Sequence, residues 1–245
     1  MITNILAALV IFVSGFINAL TGFGFIIVAA PFLVHFLAPK QVAATALVLG
    51  LIISGTIAYR ERATMNVRVT LIMAAAALLG IPVGAAVLNR VSQASLKILV
   101  GATVILVTLP MLKGFRLPSA GEKQLSLVSG FLSGVLSGVC GMSGAIAALF
   151  FIGYAWEPKQ VRPTIAGFNA IATAVTLTWL TISGTIGWSE CWLALLFLPA
   201  AVLGLLASSL MRVKVDQRHF RLLTFLLVFI AGILALISGL IEAIR

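Results

Sequence analysis

The fold is decided by residues 14–25, SGFINALTGFGF, where small and polar residues interrupt an apolar run. A second stretch, SGVLSGVCGMSG at residues 133–144, has the same character. Asp, Glu, Lys and Arg are all absent from residues 2–39 and from residues 124–156. A helix needs only about 20 residues to cross a hydrocarbon core of roughly 30 Å, so both runs are too long for one straight span. We therefore predict that each run breaks at its glycines and folds back as a helical hairpin.

The composition indicates a polytopic membrane protein. The chain has 245 residues, of which 62% are hydrophobic and 9% are charged, and its mean hydropathy is +1.21. Soluble domains carry about 25% charged residues. Because the polar loops are short, we predict one all-α membrane domain over residues 1–245, with no separate soluble domain. The net charge of +10 does not indicate nucleic acid here, because Lys and Arg gather in loops, as they do at the cytoplasmic face of membrane proteins.

Charge-poor runs predict the spans. The two broken regions are about Thr3–Leu37 and Gln124–Trp156. The remaining predicted spans are Val42–Tyr59, Val69–Asn89, Ser95–Leu112, Pro163–Gly187, Cys191–Met211 and Leu222–Leu240. A segment rich in Pro, Gly and charge, residues 113–123, separates two halves of about 1–113 and 124–245.

The two halves form an internal repeat. A shift of 119 positions pairs several identical residues: Ser14 with Ser133, Gly15 with Gly134, Gly22 with Gly141, residues 39–42 with 158–161 (both PKQV), and Thr45 with Thr164. Later pairs drift, with Gly84 matching Gly204 at 120, and Val91 and Gln93 matching Val215 and Gln217 at 124. Duplication is a common plan for transporters, which bind substrate at the repeat interface.

The loop charges favour hairpins over straight spans. If each broken region crossed once, Lys and Arg would divide almost evenly between the two sides. If each region returns to its own side, twelve lie on one side and four, Lys40, Arg90, Lys97 and Arg245, lie on the other. That bias matches the positive-inside rule. An odd number of crossings per half inverts the second half relative to the first, and both termini are predicted outside.

The glycine breaks are the first candidate site. A helix that begins after a break presents free backbone N–H groups and the positive end of its dipole, which together suit an anion. The first break supplies Thr21, Gly22 and Gly24, and the second supplies Gly141, Ser143 and Gly144. Close helix packing through small residues is the competing interpretation of the same glycines.

Polar residues near the breaks extend the candidate substrate site: Asn18, Thr45, Thr164, Asn169 and Cys140. Hydroxyls and amides donate to anion oxygens without adding fixed charge. Each residue has a plainer interpretation, as a helix-to-helix hydrogen bond or, for Cys140, as a small filler. Lys40, Lys159 and Arg162 lie at the hairpin mouths, where they would steer an anion or simply flank the membrane.

The sequence contains no catalytic grouping, metal-ligand cluster or nucleotide-binding motif. We therefore predict no enzymatic activity, no cofactor and no metal. The expected partners are a small anion and the lipid bilayer, and a homo-oligomer is compatible with the sequence. A carrier for a cation or neutral solute, and a membrane scaffold without transport activity, are the alternatives.

The residues around the first break resemble the TauE/SafE family of sulfite exporters. The resemblance rests on Gly22-Phe23-Gly24, the apolar run to Pro31 and the segment PKQVAAT at residues 39–45, and it extends over essentially the whole chain. It implies a bacterial inner-membrane permease, usually an exporter, for small sulfur-containing anions such as sulfite or organosulfonates. Phe150 stands where the second copy would match Pro31, a departure that bears on substrate identity.

Overall fold

A computed structural model gives the fold of the chain. It describes residues 2–21, 25–113, 121–153, 158–211 and 217–244. The candidate residues Gly22 and Gly24 lie outside the described residues, as does the side chain of Thr21 at the end of the first helix.

The described residues form helices and no strands, which confirms the all-α prediction. The helices are α1 (Ile2–Thr21), α2 (Phe25–Leu33), α3 (Pro39–Arg60), α4 (Val67–Leu88), α5 (Gln93–Leu112), α6 (Glu122–Cys140), α7 (Ser143–Gly153), α8 (Pro158–Ile182), α9 (Trp188–Leu196), α10 (Leu198–Met211) and α11 (Gln217–Ile244). Six spans among them, with α9 and α10 counted as one span, are long and apolar enough to cross a membrane. The chain is a multi-pass membrane protein.

Several helices begin earlier than predicted, because polar caps rather than charges set their ends. The side chain of Asn66 accepts from the backbone N–H of Val69 at 3.1 Å and caps α4. Ser92 caps α5 in the same way. The span predicted from Pro163 instead begins at Pro158, where a proline suits the first turn of a helix, and Pro163 lies inside α8.

The second glycine break is present where it was predicted. Helix α6 ends at Cys140, Gly141 has a left-handed backbone with φ of 74°, and α7 begins at Ser143. A Cβ atom on Gly141 would collide with the Cβ of Ala46 on α3. Glycine is therefore required twice, by its conformation and by the close approach of α3. At the first break, α1 ends at Thr21 and α2 begins at Phe25.

Helix contacts are exchanged between the halves. Helix α4 packs on α6 of the second half, and α10 packs on α1 of the first. The pairs α3–α9 and α4–α8 are related in the same way, as are α2–α11 and α5–α7. The remaining large contacts, α3–α8 and α5–α11, join equivalent helices. The packing therefore follows the duplication in the sequence.

Glycine contacts correct one pairing in the repeat. A Cβ atom on Gly80 would collide with the carbonyl oxygen of Phe131, and one on Gly204 would collide with that of Phe12. Because Phe12 and Phe131 are related by the shift of 119, the partner of Gly204 is Gly80 and not Gly84. The new shift of 124 agrees with the Gln93–Gln217 match. The insertion that changes the shift from 119 to 124 therefore lies before α10, the helix that contains Gly204.

Three sets of hydrogen bonds identify the two ends of the bundle. Nε2 of Gln93 donates to the carbonyl oxygens of Val34 and Leu37, at 2.8 and 3.1 Å. We call this the Gln93 end; α2 ends and α3 and α5 begin here. The backbone N–H of Asn66 donates to Oγ1 of Thr164 at 3.0 Å. We call that the Asn66 end; α3 ends and α4 and α8 begin there. Asn89 and Thr185, bonded at 3.1 Å, place the end of α8 at the Gln93 end.

Candidate functional site

A small cleft lies between α1, α3 and α8. Asn18 lines it from α1, and Ser54 and Ile57 line it from α3. Helix α8 contributes the remaining lining residues, Arg162, Ile165, Ala166 and Asn169. Arg162 is near the start of α8 and Ile57 is near the end of α3, so the cleft lies towards the Asn66 end.

Arg162 supplies the positive charge of the cleft. Its side chain is 26% exposed, so most of the guanidinium and its stem is removed from solvent. Nη1 of Arg162 lies 3.6 Å from Oε1 of Glu61, the residue that follows α3. The planar guanidinium presents its N–H donors in a fixed geometry that matches two oxygens of an oxyanion. A partly buried Arg beside polar amides is therefore chemically suited to a small anion.

Asn169 connects the cleft to the second glycine break. Its Oδ1 accepts from Oγ of Ser143, the first residue of α7, at 3.1 Å. A Cβ atom on Gly144 would lie 2.6 Å from Nδ2 of Asn169, so this glycine leaves room for the amide. With its oxygen occupied by Ser143, the Asn169 amide retains N–H groups that donate to an acceptor. The predicted residues Ser143 and Gly144 thus contact Asn169 and do not line the cleft themselves.

Asn18 lines the same cleft from the end of α1. It is 3% exposed in the last turn of α1, shortly before residues 22–24. The sequence predicted Asn18, Arg162 and Asn169 separately, and the structure brings all three together. Ser54, which the sequence interpretation missed, is half-buried beside them. The signal available for Ser54 was its repeat counterpart, Thr173, which is also a hydroxyl residue.

Thr45, Thr164 and Cys140 do not line the cleft. Oγ1 of Thr164 donates to the carbonyl oxygen of Gln160 at 2.6 Å and accepts from the backbone of Asn66, so it joins α8 to the start of α4. Thr45 is fully buried, and its Oγ1 has no hydrogen-bond partner within the part of the chain that the structure describes. The Cys140 thiol is buried against the carbonyl oxygen of Leu136 at 3.4 Å, the environment of a filler residue.

The two predicted entrance lysines are exposed and lie at opposite ends. Lys40 follows the first residue of α3 at the Gln93 end, and Lys159 follows the first residue of α8 at the Asn66 end. Lys159 is therefore on the side of the cleft, whereas Lys40 is not. Among the described residues, no group of three or more His, Cys, Asp or Glu side chains is placed to hold a metal ion.

Fold and site together define a polytopic helical membrane protein with a polar, positively charged cleft between its two halves. A family model described as sulfite exporter TauE/SafE matches residues 7–235. The chain belongs to the TauE/SafE sulfite exporter family, a family of transporters rather than enzymes. Comparisons with curated proteins and with solved structures give no match.

Proposed function

We propose that the protein is a secondary permease that exports a small sulfur-containing oxyanion, such as sulfite or an organosulfonate. The observation that carries this proposal is the convergence of Arg162, Asn18 and Asn169 in one cleft. Family membership supports the class of substrate.

The cleft offers replacements for the water around an anion. Arg162 balances the charge, while the Asn18 and Asn169 amides and the Ser54 hydroxyl donate to separate oxygens. Such donors act more strongly in a partly desolvated cleft than in water. Ile57, Ile165 and Ala166 complete the wall with apolar surface that favours the exclusion of bulk water. A compact oxyanion with several acceptor oxygens suits this arrangement.

We further propose that the halves are inverted and exchange access to the cleft. The contacts Met73–Gly130, Ala77–Gly134 and Ile81–Gly138 support α4 and α6 running in the same direction, from the Asn66 end. Because α8 also begins at that end, the α6–α7 hairpin returns to where it started. The α1–α2 hairpin returns to the Gln93 end, where α2 ends. Inverted hairpins of this kind provide two related states for alternating access.

The charge distribution supports export. Twelve of the sixteen Lys and Arg residues belong to the side of the Asn66 end in this topology, which the positive-inside rule assigns to the cytoplasm. The cleft lies towards that end, so it is placed to take up substrate from the cytoplasm. We propose a bacterial inner-membrane location with both termini outside.

The decisive experiment is a binding and flux panel on the purified protein. Thermal stabilisation is measured with sulfite, thiosulfate, sulfate, taurine, sulfoacetate and chloride, and flux is measured in proteoliposomes with whichever anion binds. A ligand that binds only the folded state at one hundred times its Kd stabilises by about 2.7 kcal/mol. We expect a selective shift with a sulfur oxyanion.

Two matched arginine variants locate the site. Arg162→Gln removes the guanidinium from the cleft, and we expect it to weaken anion binding by about 2 kcal/mol, the scale of a charge-assisted hydrogen bond. Arg68→Gln removes an exposed guanidinium near the same end and should leave binding unchanged. If the wild-type protein binds the anion and both variants bind it with the same affinity, the binding site lies elsewhere. Selective binding of cations, or no solute flux together with a stoichiometric partner, would favour the carrier or scaffold alternatives.

A further inference from the structure

Glu61 stands at the edge of the cleft and faces its cation. The carboxylate oxygen Oε1 lies 3.6 Å from Nη1 of Arg162, within ion-pair range but longer than a hydrogen bond. The Glu61 side chain is 36% exposed. Its backbone N–H donates to the carbonyl oxygen of Ile57 at 2.9 Å, and Ile57 itself lines the cleft. This hydrogen bond closes the last turn of α3 and leaves the Glu61 carboxylate beside the cleft.

We infer that Glu61 is an internal counter-ion that competes with the transported anion for Arg162. A carboxylate and a sulfur oxyanion offer the same feature to a guanidinium, namely delocalised negative charge on coplanar or clustered oxygens. In the empty cleft Glu61 neutralises Arg162, and an arriving anion takes over the guanidinium and displaces the carboxylate. This inference rests on the proposed function, because it assigns a role to Glu61 at the proposed anion site.

The physical need for such a group follows from the burial of Arg162. A cation that is largely removed from water is costly without a partner, and a carrier must also pass through states without substrate. A partner that is half-exposed, and beyond hydrogen-bonding distance, stabilises the cation without holding it permanently. Because two anions beside one guanidinium repel each other, the carboxylate leaves as the substrate binds.

The repeat shows that this ion pair is not part of the common scaffold. At the shift of 119, Arg162 corresponds to Ala43, and the residue that follows α8 as Glu61 follows α3 is Ser183. Ala43 is fully buried in an apolar cluster, and Ser183 carries no charge. An ion pair needed for packing of the duplicated fold would be expected in both copies. No ion pair can form between Ala43 and Ser183, which ties the pair of Arg162 and Glu61 to the cleft rather than to the fold.

The test compares glutamate variants by their sulfite affinity. Glu61→Gln removes the competing charge while preserving the size of the side chain. Since partly exposed ion pairs contribute modestly, we expect sulfite to bind about two- to fivefold more tightly. Glu242→Gln is the matched control, because Glu242 forms the Lys97 ion pair at 2.6 Å, away from the lining of the cleft. Its sulfite Kd should equal that of the wild type.

A charge-retaining variant separates direct competition from general electrostatics. Glu61→Asp keeps the negative charge near the cleft but shortens its reach to Arg162. Competition predicts that the sulfite Kd falls as in Glu61→Gln, whereas a general field effect predicts the wild-type Kd. If Glu61→Gln does not fold, the sulfite Kd of Glu61→Asp still tests the competition.

The outcomes distinguish this inference from the proposed function. If wild-type protein binds sulfite and neither Glu61 variant changes the Kd, the counter-ion role is wrong and the anion site stands. Equal tightening in Glu242→Gln would also overturn it, because the effect would then be long-range. If wild-type protein binds none of the tested oxyanions, the proposed function fails and the counter-ion role fails with it.

Discussion

The two halves of the chain treat one position of the repeat in opposite ways. In the second half, α8 carries Arg162, which lines the cleft. The matching residue in the first half, Ala43 on α3, is fully buried. The carbonyl oxygen of Ala43 lies only 3.3 Å from where a Cβ atom on Gly141 would be. The same helix position therefore opens a charged cleft in one copy and packs against the glycine break in the other.

The neighbouring positions repeat this contrast. Asn18, which lines the cleft, corresponds to Ser137, and Oγ of Ser137 is bonded to Oγ1 of Thr176 at 2.8 Å with both residues fully buried. Asn169 corresponds to Gly50. Large polar groups at the cleft are thus replaced by small or self-satisfied ones at the matching site, which we call the closed site: Ala43, Gly50, Ser137 and Thr176. Backbone packing is therefore common to both sites, whereas the donors proposed for substrate are found only at the cleft, which both halves line.

The largest expected effect tests the shared packing. Gly15 and Gly134 are repeat counterparts. A Cβ atom on Gly15 would lie 2.8 Å from the carbonyl oxygen of Ala201, and one on Gly134 would collide with the carbonyl oxygen of Ala77. Backbone atoms cannot rotate away, so Gly15→Val and Gly134→Val should each destabilise by about 3 kcal/mol. Thermal unfolding in detergent measures this. Gly55→Val, at a helix position with nothing within 4 Å of the added Cβ, is the control.

A difference between the two glycine variants would break the comparison. If Gly15→Val were as stable as Gly55→Val while Gly134→Val unfolded, the α1–α10 and α4–α6 interfaces would not be equivalent. The repeat would then be a feature of the sequence alone.

The second prediction concerns the cleft. Asn169→Leu keeps the size of the side chain but removes the amide donors, and it should weaken sulfite binding by about 2 kcal/mol. It also leaves Oγ of Ser143 without its acceptor, at a stability cost of about 1 kcal/mol. Titration of thermal stabilisation against sulfite separates the two effects. The control is Thr178→Val on the same helix, where the exposed hydroxyl is bonded to its own helix at Ala174. Unchanged affinity in Asn169→Leu would remove Asn169 from the site.

Much of this fold could be predicted from composition and spacing. Overlong charge-free runs with repeated glycines located the second break at Gly141, because only a break reconciles their length with a membrane. The pairing of Gly204 with Gly80 could not be predicted, because an insertion shifts the repeat and identical letters misled the alignment. Helix starts were placed too late because caps such as Asn66 act outside the apolar run.

The candidate site was only partly predictable for a different reason. Asn18, Arg162 and Asn169 stand out as polar residues in apolar surroundings, so sequence suffices to nominate them. Which polar residues converge depends on helix rotation and packing, which sequence spacing does not fix across different helices. Thr164 was nominated for the same reason as Asn169, yet it bonds to the α4 cap. Ser54, an ordinary hydroxyl within α3, became relevant only through the position of α8.

The third prediction tests the closed site. Ser137→Ala and Thr176→Val each remove one partner of a buried hydrogen bond and should each cost about 1 kcal/mol of stability. The double variant should cost less than the two single effects added together, because the interaction is lost only once. Sulfite affinity should stay at the wild-type value in all three. A loss of affinity comparable to that in Asn169→Leu would show that the closed site also contacts substrate.

The smallest expected effect comes from the position that matches Asn169. Gly50 lies within α3, where a helical glycine costs up to about 1 kcal/mol relative to alanine. A Cβ atom added there meets only Cγ2 of Thr173, at an ordinary contact distance of 3.8 Å. Gly50→Ala should therefore stabilise the protein by about 0.5 kcal/mol and leave sulfite affinity unchanged, as measured by thermal unfolding with and without sulfite. If transport were lost while stability rose, Gly50 would be needed for movement of α3 against α8, and the closed site would take part in the conformational change rather than only in packing.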